Sequence, residues 1–555
     1  MRFKSLLVLA VLSACGAARA TTVLDRANGY TLNSKNELVR FNSLAFDDAG
    51  RIISVGSAAQ VAAKAPNARH VDMNGQTVLP GLIDAHGHVF GLGELLSQLD
   101  LSTTTSLADA LKVTAVYARA NPATSENAWL RGRGWNQEVW KLGRFPTAAE
   151  LDGVVANRPV WFERVDGHAG WANSAALKLA GITNATPDPV GGKIIRDAQG
   201  NATGILVDSA RELVERVLPR QTEAGARVAL DRALAEIARV GLTTVHDAGI
   251  PIASDALYRD YADNGKLTAR VYAMIGGTEH DFDVLAAKGP LKTYANDMYA
   301  LRAVKLYSDG ALGSRGAALI APYSDEPTSH GLLFKTDAQM RAMMEKAMRK
   351  GYQVNVHAIG DAGNRQILDG YQELVSKTAT SGLRHRIEHA QVVALTDIPR
   401  FRQIGVIPSM QPTHATSDMN MAEQRVGPER IKGAYAWRSF LKQGSRIACG
   451  SDFPVESPNP FYGLHAAVTR QSAANLPAAG WHKEQAMTLN EAFRCFTLDA
   501  AFAGHQENQV GSLEAGKWAD FIVIDRDMFT IAPADIRKIG VLQTWVAGKQ
   551  VFQKK

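Results

Sequence analysis

Short apolar segments alternate with helix-like segments through the middle of the chain, and this alternation constrains the fold more than any other feature. The chain has 555 residues, 46% of them hydrophobic, which is enough for a large core. Strands that alternate with helices favour a parallel sheet, and eight such units predict an α/β fold of the (β/α)8 barrel type. The predicted strands are 78–88, 242–249, 269–276, 301–308, 352–360, 385–391, 405–412 and 445–454.

The interval between the first two predicted strands is far too long for an ordinary βα connection. Part of it, RPVWFERVDGHAGWANSAAL, itself has the pattern of a strand followed by a helix. We therefore predict an insertion at 95–225, placed on the face where the βα loops emerge. Strand-like segments also occur at both chain ends, so we expect 21–78 and 506–555 to form a small β-sandwich beside a barrel of 79–505.

Residues 1–20 have the pattern of an export signal. MRFK is basic, SLLVLAVLSAC is apolar but too short to span a membrane, and AARA offers a cleavage site after Ala20. We expect an exported protein, periplasmic or secreted. The segment LSAC, which ends at Cys15, also resembles a bacterial lipobox, so a lipid anchor at Cys15 is an alternative form of the same expectation. No later segment predicts a transmembrane helix.

Charge and cysteine content argue against two classes of protein. The net charge of +6 includes three basic residues of the predicted signal, and no basic run is interleaved with aromatic residues, so we expect no nucleic-acid partner. Three cysteines are too few for a disulfide framework. We expect Cys449 and Cys495 to be separate core thiols, with a bridge between them as the alternative. The expected partner is a small-molecule substrate, and a homo-oligomer stays open.

Imidazole and carboxylate side chains fall at the carboxyl ends of the predicted strands, where barrel enzymes place their active sites. His86 and His88 alternate in HGH and therefore face the same side of the first strand. His357, His389 and Asp452 lie near the ends of later strands. A single strand-end histidine is readily explained as a hydrogen-bonded core residue, but this combination is improbable by chance. Such ligands suit zinc and related divalent metals.

Lys305 lies in the middle of an otherwise apolar strand, LRAVKLYSDG. Lysine is rarely buried unless it is paired, because an unpaired ammonium in an apolar place is costly. The strand therefore indicates either a partner or a chemical role for Lys305.

These motifs resemble the metal-dependent amidohydrolase superfamily, in particular amidohydrolase family 3, the branch of N-substituted formamide deformylase-like and imidazolonepropionase-like proteins. The resemblance covers nearly the whole chain after about residue 22 and says little about the substrate. It is carried by GLIDAHGH, VDGHAGWANSAAL, LTTVHDAG, VKLYSDGALGSRGAAL, NVHAIGDAGN, RIEHAQ, CGSDFPVESPNPF and GSLEAGKWADFIVID.

The resemblance implies a role for each strand-end residue. His86 and His88 would bind one divalent ion, and His357 and His389 would bind a second. Asp452 would ligate the first ion and take the proton of the attacking water, which is general base work. A metal ion lowers the pKa of bound water from about 15.7 to near 7, so hydroxide would be available at neutral pH.

For Lys305 the resemblance implies carboxylation by CO2, which would replace an ammonium with an anionic carbamate that bridges two ions. An ordinary ion-paired lysine and a site with one ion are the alternatives. The implied activity is hydrolysis of a non-peptide carbon–nitrogen bond. The same centre could instead hydrolyse N-acyl amino acids, lactones or phosphoesters, and a binding protein without catalysis is a third alternative.

Other polar residues are further candidates for the substrate site. Arg315 could grip a substrate carboxylate or form a salt bridge within its loop. His168 and Asn173 in the insertion could reach over the metals, and His414 and Asp418 lie on a loop that could face the substrate.

Three residues near these motifs have weaker functional interpretations. Trp135 could line an apolar pocket, although a core position is the simpler interpretation. Asp247 could brace a ligand histidine through a hydrogen bond. Neither Asp247 nor its neighbour His246 is expected to contact a metal.

Overall fold

The computed structural model describes residues 21–555 except 34, 36, 124–127, 138, 166, 168, 190–191 and 220–221. The predicted signal with Cys15, and the candidate substrate residue His168, lie outside the described residues.

Seven short strands and one helix precede the barrel in the described part of the chain. These elements are β1 (Thr21–Asp25), β2 (Asn28–Leu32), β3 (Leu38–Phe41), β4 (Ser43–Asp47), β5 (Ile52–Gly56), α1 (Ala58–Lys64), β6 (Arg69–Asp72) and β7 (Thr77–Pro80). Four of them form a sheet in the order β5-β4-β1-β6.

A separate sheet follows the first barrel strand, as the long interval in the sequence predicts. The elements are β8 (Leu82–Gly87), which belongs to the barrel, then α2 (Val89–Leu95), β9 (Leu99–Asp100), α3 (Leu107–Ala120), β10 (Leu130–Trp135), α4 (Ala148–Asp152), β11 (Val160–Arg164), β12 (Ala169–Ala172), α5 (Ser174–Leu179), β13 (Gly192–Arg196), β14 (Ala202–Asp208) and α6 (Glu212–Glu215). The sheet order is β13-β14-β12-β11-β10-β9. Its core holds Trp135, Phe162 and Trp171.

The remaining barrel strands alternate with helices. They are α7 (Glu223–Arg239), β15 (Leu242–Ile250), α8 (Ile252–Asp263), β16 (Arg270–Gly276), α9 (His280–Leu285), β17 (Leu291–Tyr294), β18 (Tyr299–Tyr307), α10 (Asp337–Arg349), β19 (Gln353–Ala358), α11 (Asp361–Lys377), β20 (Arg386–His389), α12 (Ile398–Ile404), β21 (Ile407–Met410), α13 (Pro412–Asp418), α14 (Ala422–Arg430), α15 (Trp437–Lys442), β22 (Ala448–Cys449), α16 (Pro460–Thr469), α17 (Leu489–Cys495) and α18 (Leu498–Ala503).

Within the described residues, eight parallel strands run in the order β8-β15-β16-β18-β19-β20-β21-β22. The outer helices bury one face each. In α7, for example, Leu230, Leu234 and Ile237 are buried at helical spacing, and the Thr222 side chain caps the first turn. The predicted fold class is therefore confirmed.

The chain ends in strands that complete the sandwich. These are β23 (Phe521–Ile524), β24 (Val541–Val546) and β25 (Lys549–Gln553), which join the N-terminal strands in a sheet of order β25-β24-β23-β7-β2-β3. Leu44 and Phe46 from the first sheet pack with Phe521, Val523 and Trp545 from this one.

The barrel closes between its first and eighth strands. The Asp452 N–H donates to the His86 carbonyl, and the His88 N–H donates to the Phe453 carbonyl, each at 2.7 Å. The Asp84 carboxylate accepts the Ser451 hydroxyl at 2.6 Å. The two strands approach so closely that a Cβ on Gly450 would lie 2.5 Å from the backbone nitrogen of His86. A residue without a side chain is therefore required at position 450.

The expectation of separate thiols is wrong, because Cys449 and Cys495 form a disulfide. Cys449 lies in the eighth barrel strand and Cys495 ends α17, and their Cα atoms are 5.1 Å apart, within the usual range for a bridge. A sequence separation of 46 residues carries no information on this proximity, so the tertiary fold alone decides it.

Membrane crossing is a separate question from export. Among the described helices, none has both the length and the apolar character that a bilayer span requires.

A buried ion pair joins the barrel to the sandwich. The Arg270 guanidinium donates to both Asp520 oxygens at 2.7 and 3.0 Å, and the two side chains are 0% and 3% exposed. Asp520 also accepts the Ala547 N–H at 2.7 Å. Removing one partner of such a pair leaves an uncompensated buried charge.

We expect Asp520→Asn to lower the free energy of unfolding by about 3–5 kcal/mol, measured by urea denaturation. Glu429→Gln is the matched control, because its pair with Lys432 is largely exposed and contributes little. Equal unfolding midpoints for the two variants would contradict this role of the buried pair.

Candidate metal centre

The candidate centre lies at the mouth of the barrel, where the first and eighth strands meet. His86, His389 and Asp452 are buried, and one ligand atom of each lies within 4.8 Å of the others. His88 Nε2 is 3.1 Å from Asp452 Oδ1, and His86 Nε2 is 3.5 Å from the same oxygen. Residues from three different strand ends therefore converge at one point.

Two further imidazoles extend this cluster. The His357 ring lies 4.5 Å from the His389 ring, and His414 stacks on His389 at 5.8 Å between ring centroids. The buried Nε2 atoms of His357 and His414 have no hydrogen-bond partner among the described residues. Because buried polar atoms are normally hydrogen-bonded, these nitrogens fit the ligand set of a metal ion.

Lys305 reaches the same cluster from the fourth barrel strand. The residue is 1% exposed, and its Nζ lies 2.9 Å from His86 Nε2. Burial lowers the pKa of Lys305 to about 8, although the negative charges of Glu388 and Asp452 oppose this shift. The resemblance placed Lys305 at the metals, and the structure brings it to the predicted ligands.

Burial keeps the candidate ligand histidines neutral. It lowers the pKa of His86 to about 4 and that of His357 to about 3, and the nearby Lys305 charge acts in the same direction. Burial also lowers the pKa of His389 well below its ordinary value. At neutral pH each ring therefore keeps a lone pair, which is the form that binds a metal.

Asp452 is held as a carboxylate. Burial opposes its ionisation, but the close approach of the His88 side chain outweighs that effect and holds the pKa of Asp452 well below its usual range. Asp452 and His389 both have left-handed backbones, with φ of 61° and 74°. Non-glycine residues adopt this region rarely, and such strain clusters at functional sites.

Two residues that the sequence analysis missed orient the His86 and His389 rings. Glu388 accepts a 2.5 Å hydrogen bond from His86 Nδ1, and Gln411 Oε1 accepts one of 2.8 Å from His389 Nδ1. Since each Nδ1 is used in this way, the Nε2 atoms face the centre. Such supporting hydrogen bonds fix the tautomer and direction of ligand histidines.

Strand alternation explains why Glu388 was missed. Neighbouring residues in a strand point to opposite faces, so His389 facing the centre implies that Glu388 faces away. The left-handed φ of His389 breaks this rule at the strand end. Glu388 instead shares the barrel interior with Arg386, whose guanidinium lies 2.7 Å from its carboxylate.

Asp309 ties together two loops beside the cluster. Its carboxylate accepts backbone N–H bonds from Ala318, Ile359 and Gly360 at 2.8–2.9 Å and lies 3.7 Å from His357 Nε2. Burial raises the pKa of Asp309 to about 7 despite these bonds. The carboxylate therefore fixes the position of the strand end that carries His357.

Two candidate substrate residues make structural contacts. The Asn173 side chain caps α5, accepting from Ala176 N–H, and donates to the Val155 carbonyl at 3.0 Å. Asn173 is fully buried, and its hydrogen bonds all go to backbone atoms of the insertion. Arg315 pairs with Asp325 at 3.0 Å, so the loop salt bridge, one of its two expected roles, is the one observed.

The residues with weaker functional interpretations have different contacts in the structure. Trp135 is a core residue that donates to the Phe162 carbonyl at 2.9 Å. Asp247 makes no hydrogen bond to a ligand imidazole among the described residues; it accepts from Tyr258 and from the Val89 N–H. His246 lies 3.0 Å from Arg386. The Asp418 carboxylate accepts hydrogen bonds from Gln391 and Tyr435.

The structure combines a barrel with a cluster of imidazoles, a carboxylate and a lysine at its strand ends. These two features are typical of barrel hydrolases with a site suited to a metal ion. The chain belongs to the amidohydrolase family, whose model matches residues 69–552. The family resemblance seen in the sequence is thereby confirmed.

Several known proteins are similar to this chain over nearly its whole length. N-substituted formamide deformylase of Arthrobacter pascens is 31% identical over 551 residues, which cover 96% of this chain and 98% of that protein. Protein LONG AFTER FAR-RED 3 of Arabidopsis thaliana is 33% identical, over 95% of this chain and 91% of that one. The crystal structure of an uncharacterized metal-dependent hydrolase from Pyrococcus horikoshii OT3 has 27% identity and a TM-score of 0.77, with 93% and 99% coverage.

We expect Glu388→Gln to weaken zinc binding by about 10–100-fold, because it removes the carboxylate that orients His86. The affinity is measured by competition with a chromophoric chelator. Glu373→Gln is the control, since Glu373 is largely exposed on α11. An unchanged affinity in the Glu388 variant would show that this carboxylate does not support the ligand.

Proposed function

We propose that the protein hydrolyses non-peptide carbon–nitrogen bonds, as in linear or N-substituted amides, with one or two divalent ions held at the strand-end cluster. The observation that carries the proposal is the convergence of neutral, buried imidazoles on an ionised carboxylate, Asp452. The similarity to N-substituted formamide deformylase over nearly the full length of both chains supports the amide class.

Histidine nitrogens with a carboxylate favour zinc among the common divalent metals. We propose the following ligands: His86, His88, His357, His389, Asp452 and Lys305. A divalent ion bound there supplies Lewis acidity and lowers the pKa of water toward neutrality.

Lys305 is proposed to carry a carbamate. Its Nζ lies against a proposed ligand, His86, and forms no direct ion pair with a carboxylate among the described residues. In the modification the amine nitrogen bonds to the carbon of CO2 and loses a proton. The product is an anion, which offsets the positive charge of the bound ions.

Asp452 is the proposed base and acid. It is ionised and buried, and its Oδ1 is 3.1 Å from His88 Nε2, so its direction is set by a neighbouring ligand. The carboxylate takes the proton of the attacking water and then delivers it to the leaving nitrogen. His414, with Nε2 3.7 Å from Asp452 Oδ2, is the proposed contact to the substrate.

The test is a substrate panel of N-substituted formamides, N-acyl amino acids, lactones and phosphotriesters, with metal content measured in the same preparation. We expect amide hydrolysis that is lost on chelation and restored by zinc. Asp452→Asn should lower kcat by at least about 10³-fold, because the proton acceptor is removed. Asp535→Asn is the control, since Asp535 is partly exposed in a terminal turn.

Two outcomes would count against the proposal. Full activity in a metal-free preparation would refute the metal centre. A metal-loaded protein inactive on the whole panel would favour a binding protein.

We also propose that the chain is exported, to the periplasm or the medium. The Cys449–Cys495 bridge supports this, because disulfides persist mainly in oxidising compartments. Fractionation of producing cells should recover the protein outside the cytoplasm; recovery in the cytoplasmic fraction would contradict export. Recovery with membranes would favour the lipid anchor at Cys15.

A further inference from the structure

Tyr307 is an exposed aromatic residue at the end of a strand that is otherwise buried. β18 is almost wholly buried until this last residue, where the exposed fraction rises to 44%. Tyr307 follows Lys305 by two positions, so both side chains face the barrel interior. In the sheet register Tyr307 lies directly beside His357.

The Tyr307 ring contacts the proposed centre on two sides. Its centroid is 4.9 Å from Lys305 Nζ and 5.6 Å from the His357 ring. The ring thus forms a partly exposed wall beside the proposed ligands. A purely apolar wall would serve equally well with phenylalanine, so the hydroxyl needs its own explanation.

The hydroxyl has no hydrogen-bond partner in the described part of the chain, and it faces Gly249. A Cβ on Gly249 would lie 3.6 Å from Tyr307 Oη and 3.7 Å from Lys305 Cγ. Gly249 has φ of 94°, which favours glycine. The position that could cover the hydroxyl therefore has no side chain, and the donor is open to a small molecule.

A free donor at this place matches a need of amide hydrolysis. When water attacks an amide carbonyl, negative charge develops on the carbonyl oxygen, and donors positioned beforehand stabilise it. The backbone of β18 fixes Tyr307, so the hydroxyl does not have to be ordered when the reaction occurs. Among the described residues near the cluster, the Lys305 amine already lies 2.9 Å from His86 Nε2.

We propose that Tyr307 is a catalytic hydrogen-bond donor whose hydroxyl binds the substrate carbonyl oxygen and stabilises the charge that develops there. This inference rests on the proposed function and adds a residue to it. The proton stays on the tyrosine oxygen throughout, and no bond to the protein forms or breaks.

The test compares Tyr307→Phe with the wild-type protein, both loaded with zinc. Removing a donor to a developing oxyanion should lower kcat by about 10²-fold. KM should change less than about threefold, and zinc content should not change, because the ring stays in place. Tyr294→Phe is the control: it removes a hydroxyl that bonds Asp263, and its kcat should equal that of the wild type.

A second readout does not need turnover. Calorimetry with methylphosphonate, a tetrahedral anion, should show about 10-fold weaker binding to zinc-loaded Tyr307→Phe than to the wild type. Equal kcat in the two proteins, or equal methylphosphonate binding including none in either, would overturn the role of Tyr307. If the amide panel fails but methylphosphonate binding still differs, the donor stands and the proposed reaction fails.

Discussion

Closure of the barrel between its first and eighth strands is the constraint on which the centre depends. The Asp84 carboxylate and the Ser451 hydroxyl, 367 residues apart in the chain, meet across this seam. One residue further along, the Asp452 N–H donates a backbone hydrogen bond to the His86 carbonyl. Without this contact the HGH segment and Asp452 would belong to opposite edges of an open sheet, and no shared ligand set would exist.

Buried charge is the second determinant of the centre. Arg386 and Glu388 compensate each other in the barrel interior, while Lys305 and Asp452 lie beside the candidate ligand histidines. Isolated charges at such depth would be costly. The proposed divalent ion would add positive charge at this point, and the proposed carbamate of Lys305 would offset it.

Much of this arrangement is predictable from local patterns. The eight strand segments and the strand-end histidines were recognisable because apolar runs and ligand-type residues recur at matching places in successive units. The eighth strand was predicted as 445–454 but contains only Ala448–Cys449, since the chain turns at once to bring Asp452 to the seam. Asn173 shows a limit of motif-based prediction, because this polar residue in a suggestive motif is a helix cap in the structure.

The order of strands and helices, the long insertion and the candidate ligand residues are predictable from the sequence, because each appears in a local pattern of the chain. The tertiary structure alone decides that Glu388 supports His86, that Cys449 is bridged to Cys495, and that the Tyr307 hydroxyl is left open beside Gly249. These contacts join segments distant in the chain, and some depend on left-handed backbone at His389 and Asp452. A periodic pattern cannot encode them, since it specifies which face a regular strand buries and not how the strand ends.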